Sequence, residues 1–111
     1  MRLDIFVDSE LLPPDARDYL GQRLRLALGI YGAELRRVRV QVRDENEGPQ
    51  GPLLRCTLRA SGPLVGALTL DEVDASFTRA VDRLADRMAR TMARTLESKR
   101  IMRQPPRRMR A

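Results

Sequence analysis

The chain has 111 residues, 42% of them apolar, with 21 basic residues against 15 acidic ones and no histidine. That length fits one domain with a modest core, and the lack of histidine removes imidazole as a catalytic base or metal ligand. The single cysteine, Cys56, excludes an internal disulfide, and the acid-bearing start MRLDIFVDSE has neither the apolar run of a signal peptide nor that of a membrane span, so a cytoplasmic protein is expected.

MRLDIFVD alternates, with Leu3, Ile5 and Val7 on one side and Arg2, Asp4, Phe6 and Asp8 on the other. This period of two predicts a half-buried strand. Pro13 and Pro14 end it, and Pro14 or Asp15 opens a helix whose apolar face is Ala16, Leu20, Leu24, Ala27 and Leu28. Gly29 and Gly32 bracket its end. ELRRVRVQVRDE gives the clearest strand, with Val38, Val40 and Val42 facing one way and Arg37, Arg39, Gln41 and Arg43 the other. NEGPQGP reads as the longest turn. LLRCTLRA alternates again, SGP turns, and LVGALTL is a weaker fourth strand.

From about Asp74 the period becomes 3.6, and Phe77, Val81, Leu84, Met88, Met92 and Leu96 form one stripe of a long helix. IMRQPPRRMRA, with two prolines and four arginines, reads as a mobile tail. The predicted order is β-α-β-β-β-α: an α+β two-layer sandwich with both helices on one face of a four-stranded sheet and a wet, arginine-bearing opposite face. Residues 1–99 are expected to form the single domain and 100–111 a basic, disordered tail.

Charge is unevenly distributed. Residues 79–111 hold 11 basic and 3 acidic residues, a net of +8, while residues 1–78 carry a net of −2. A one-sided field favours a polyanion. Twenty of the 21 cations are arginine, whose fork suits phosphate; a genomic base-composition bias explains the same excess. On a wheel of ~100° per residue, Arg79, Arg83, Arg87, Arg90 and Arg94 occupy an arc of about 80° opposite the apolar stripe, over ~22 Å of helix. They are expected to point away from the sheet as an RNA-binding row, with Asp82 and Asp86 supporting the helix through i,i+4 pairs. The same pattern is also that of any solvated helix face.

Signals for chemistry are weak. No serine has an imidazole partner, and Cys56 sits at an inward strand position where it reads as a small buried hydrophobe. The acids of DEVD, residues 71–74, read as helix-start charges rather than an acid/base pair. EGPQGP is followed by no GK[ST] and is not a phosphate loop. No catalytic residue, metal, cofactor, small-molecule substrate or membrane contact is expected.

The β-α-β-β-β-α order, RDYL at 17–20, AVD…DRMAR at 80–90 and DENEGPQGPLLRCTLR at 44–59 together resemble the ribosome hibernation-promoting factor family, which includes the ribosome-associated inhibitors. The resemblance covers about residues 1–97 and is similar to a short proteobacterial branch. It implies a fold like the double-stranded RNA-binding domain and a non-catalytic factor. That factor would occupy the decoding channel of the small ribosomal subunit, on ribosomal RNA, and hold translation idle under stress. Val81 and Asp82 match the family's Ile-Asp; Asp86, Arg87 and Met88 match its Asp-Lys-Leu; Arg90 matches a later basic position. The family's tyrosine falls on Thr78, the histidines many relatives carry are lacking, and the dimerisation domain of the long members has no counterpart in these residues. Two other functions fit the sequence. One is a protein-interaction or assembly module using Arg37, Arg39, Arg43, Arg55 and Arg59; the other is general double-stranded RNA binding.

Overall fold

The structure, a computed structural model, describes residues 1–9, 12–49 and 51–103, and the side chains of all of these but 99–103. Its elements run β1 (Arg2–Asp8), α1 (Ala16–Leu28), a 3-10 segment (Gly29–Glu34), β2 (Arg37–Gly48), β3 (Gly51–Gly62), β4 (Gly66–Asp74) and α2 (Phe77–Arg103). The sheet order is β1-β2-β3-β4, with β1 parallel to β2 and the other pairs antiparallel. The β1–α1–β2 connection is therefore a crossover, and β2, β3 and β4 form the expected meander.

Alternation decides which face is buried. Val38, Val40 and Val42 on β2 and Leu54, Cys56, Leu58 and Ala60 on β3 all point under the helices. They meet Leu20, Leu24 and Leu28 of α1 and Val81, Leu84, Met88 and Met92 of α2, forming one core. Burying each such aliphatic side chain contributes roughly 1.5–3 kcal/mol. The apolar stripe is thus what fixes the rotation of α2 about its own axis. Leu96 is only partly buried, and α2 continues past the core to Arg103. Residues 104–111, most of the expected tail, lie outside the described residues.

Two strand boundaries differ from the sequence reading. NEGPQGP is mostly strand, because β2 extends to Gly48 and β3 starts at Gly51. This extension beyond the core is braced across the strands by the Arg55–Glu45 ion pair. DEVD is the end of β4 and not the helix start; its ladder to β3 continues through Asp71↔Thr57 and Val73↔Arg55. The helix begins after a Ser76 cap: the Arg79 N–H donates to Ser76 Oγ at 3.3 Å, and the Ser76 N–H donates to Asp74 Oδ1 at 2.8 Å.

Both edge strands are guarded from the helix layer. Arg17 of α1 donates from Nη1 to the Ile5 carbonyl of β1 at 2.9 Å. Arg87 of α2 donates to the Asp71 carbonyl of β4 at 2.7 Å. Satisfied edge carbonyls and a nearby positive charge discourage strand addition.

Candidate nucleic-acid interface

The five arginines of the α2 arc do lie on one flank of the helix, but they do not all point away from the sheet. Arg79 Nε lies 3.4 Å from Asp74 Oδ1, Arg83 Nη1 lies 3.3 Å from Asp74 Oδ2, and Arg87 Nη1 lies 2.9 Å from Glu72 Oε1. Side-chain exposure falls in the same order, 67%, 59% and 42%. The wheel explains the trend. Each step of four residues turns the side chain a further ~40° toward β4, where Leu70, Glu72 and Asp74 share the inner parity of the strand. The expectation of an outward row is corrected accordingly: three of the five lean over the β4 edge, held by its carboxylates.

Arg90 and Arg94 are exposed, and among the described residues neither has a carboxylate partner. The reason lies in β4. The helix runs antiparallel to that strand, so its later turns pass over GALTL, which carries no acid. The flank therefore has two sections, a held section from Arg79 to Arg87 and a free section at Arg90 and Arg94. Held guanidiniums are pre-organised and partly neutralised; free ones carry undiminished charge for a phosphate.

Asp82 and Asp86 do not act as local i,i+4 supports. Arg23 of α1 donates to both, Nε to Asp82 Oδ1 at 3.2 Å and Nη2 to Asp86 Oδ1 at 2.8 Å. The Tyr19 hydroxyl also donates to Asp82. That hydrogen bond, with burial and the Asp82 charge, raises the Tyr19 pKa. The acids beside the arginine arc are thus turned toward α1, which leaves the opposite flank positive. Sequence reasoning missed Tyr19 and Arg23, since their partners lie more than fifty residues away; the parity of Glu72 and Asp74 was a usable signal.

Phe77, beside the family's tyrosine position at Thr78, is in the core with its ring centroid 6.3 Å from that of Tyr19. It packs and is not a stacking platform. Cys56 is fully buried, and desolvation pushes its thiol up to about 11, so it is protonated at neutral pH and a poor nucleophile. Among the described residues, no group of three or more His, Cys, Asp or Glu could hold a metal ion, and no helix is long and apolar enough to cross a membrane.

Among solved structures, the chain is similar to a ribosomal subunit interface protein from Coxiella burnetii, with a TM-score of 0.69, 10% identity, and coverage of 85% of this chain and 96% of that one. It is also similar to the N-terminal domain of Protein Y from Thermus thermophilus, with a TM-score of 0.62, 24% identity, and coverage of 85% and 98%. The chain has their fold. No family model matches it, and no curated protein matches it significantly by sequence. The α+β sandwich that the strand and helix periods predicted is thus present, with the arginine flank of α2 on its helical layer.

Proposed function

We propose that this chain is a short member of the ribosome hibernation-promoting factor family. In this reading it is a non-catalytic, cytoplasmic protein that binds ribosomal RNA in the decoding channel of the small subunit and stops translation sterically under stress. The observation that carries the reading is the two-section arginine flank of α2. Arg79, Arg83 and Arg87 are set in place by β4, and Arg90 and Arg94 continue the line without a partner acid among the described residues. Over ~22 Å such a line meets several phosphates. The motif order at 17–20, 44–59 and 80–90 adds support. So does a fold shared with a protein described as a ribosomal subunit interface protein. Affinity comes from phosphate contact and selectivity from the shape of the channel. Residues 1–99 form the body that fills the channel.

The test is co-sedimentation with ribosomes on sucrose gradients at stepped salt. The wild-type chain is expected to travel with the small subunit at low salt and to be released as salt rises. Arg90→Glu with Arg94→Glu is the cleanest variant, because Arg83 and Arg87 also hold β4. It is expected to abolish co-sedimentation while leaving the melting curve unchanged. Unaltered co-sedimentation of that variant at moderate salt would sink the reading.

A further inference from the structure

The outer face of the sheet has a charge arrangement that folding does not require. Arg39 on β2 stands directly opposite Arg59 on β3, and like charges in direct cross-strand opposition destabilise a sheet. Three of the other outer-face arginines have acidic partners: Arg2 and Arg37 share Asp4, and Arg55 lies against Glu45 and Asp71. Among the described residues Arg59 has no acidic partner, and Arg39 lies over an aromatic ring, its guanidinium 5.0 Å from the Phe6 centroid. Arg37, Arg39 and Arg59 line one shallow bay of about 230 Å³, with the small side chains of Ser61, Ala67 and Thr69. Apart from Asp4 and Asp71, the acids of this face lie toward the far hairpin, at Asp8, Glu45 and Glu47. The face is thus positive at the end where β2 begins and negative at the other.

We infer that this bay is a second RNA contact, which takes the phosphates of a single-stranded segment on the face of the sheet opposite α2. The inference rests on the RNA-binding reading and extends it to a separate surface. A single strand is favoured over a duplex for two reasons. Arg39 and Arg59, side by side on adjacent strands and without an acidic partner among the described residues, supply charge for one or two neighbouring phosphates of a single chain. Beside them, the Arg39 guanidinium stacked on exposed Phe6 offers a planar surface to an unpaired base. An acidic protein segment would use the charge but not that plane.

The test is fluorescence anisotropy of a labelled oligouridine 12-mer with the full chain. Arg39→Gln with Arg59→Gln is expected to weaken binding at least tenfold and to reduce the salt slope by about 1.4, at ~0.7 per lost phosphate contact on a single strand. Arg25→Gln with Arg43→Gln removes the same charge elsewhere and is expected to stay within threefold of wild type; an equal loss there would show diffuse attraction and overturn the site. Arg59→Gln alone is expected to leave the melting temperature unchanged or higher, because it relieves like-charge opposition; a lower one would mark Arg59 as structural and overturn the inference. Displacement of the 12-mer by duplex RNA or polyglutamate as readily as by unlabelled oligouridine would overturn it as well. Ribosome co-sedimentation that survives in Arg39→Gln/Arg59→Gln, beside oligouridine binding equal to wild type, overturns this inference and leaves the proposed function standing. Unaltered ribosome co-sedimentation of the α2 variant Arg90→Glu/Arg94→Glu, whatever its oligouridine binding, overturns the function itself.

Discussion

The hydroxyl of Tyr19 on α1 donates a hydrogen bond to Asp82 on α2, and this contact, shared with Arg23, ties the two helices together above the sheet. It places an ordered acid on the side of α2 away from β4, so that the arginine flank and the acidic flank of one helix stay separate. Tyr19→Phe is expected to lower stability by roughly 1.5–3 kcal/mol, the worth of one hydrogen bond to a charged group, toward the low end because Arg23 still pairs with Asp82. The pH dependence has a definite sign. The folded-state pKa of Tyr19 is raised above 10.0 by the Asp82 hydrogen bond, burial and the Asp82 charge. The contribution is therefore fully present below the unfolded value and is lost as pH rises through the raised one. Urea melts of wild type and Tyr19→Phe should converge at high pH; a gap that persists or widens there would contradict the assignment.

Gly62 and Glu34 show a second close approach. A Cβ added at Gly62 would lie 2.2 Å from the Glu34 carbonyl oxygen, where the chain enters β2 and Arg36 donates its N–H to the Ser61 carbonyl at 2.9 Å. Backbone on both sides leaves nothing to yield. Gly62→Ala is expected to cost ~1–3 kcal/mol by overpacking. Gly32→Ala, where the nearest atom is 3.9 Å away, is expected to stay within about 0.5 kcal/mol. Equal melting temperatures for the two variants would contradict the steric account.

The contrast between these sites shows what the sequence made legible. Val38, Val40 and Val42 announced their strand because a buried face must repeat every second residue, and the stripe from Phe77 to Met92 announced its helix for the matching reason. The two misread stretches, 46–52 and 71–74, lie where that logic weakens. The hairpin tip extends past the core, so no apolar period marks it, and it is held instead by Arg55 and Glu45. DEVD places Glu72 and Asp74 on an inner face, where a period-two reading expects apolar residues; the open edge of β4 admits them because α2 supplies arginines there. A helical wheel gives angles about one axis and does not say which neighbour lies at each angle. The arc was legible for that reason, while its division into held and free arginines needed the position of β4.

Cys56 illustrates burial with a chemical consequence. It is fully buried between Leu54 and Leu58 on the inner face of β3, and its thiol is raised from 9.0 to about 11 by desolvation and then by the charge of Glu72. Reaction with a soluble thiol reagent at pH 8 is expected only through unfolding, so its rate should rise steeply across the urea transition. Fast, stoichiometric labelling of the native protein would contradict this burial. Cys56→Ser is expected to cost ~1–3 kcal/mol, because it buries a hydroxyl among apolar neighbours, with Cys56→Ala the milder change.

Asp74 separates stability from binding. Its two oxygens serve Arg79 and Arg83, and Oδ1 also accepts the Ser76 N–H at the helix start. Asp74→Asn keeps an oxygen for the Ser76 N–H but removes the charge that partly neutralises both arginines. Ion pairs this exposed on the arginine side are worth roughly 0–1 kcal/mol, so the melting temperature should fall only slightly. Ribosome affinity at low salt should increase several-fold, and release on a salt gradient should come later, because each freed guanidinium adds a phosphate contact. The measurement is the salt midpoint of co-sedimentation for wild type and variant. A lower midpoint in Asp74→Asn would mean that Asp74 serves binding by fixing the direction of Arg79 and Arg83, and that the held section of the flank, rather than Arg90 and Arg94, dominates the contact.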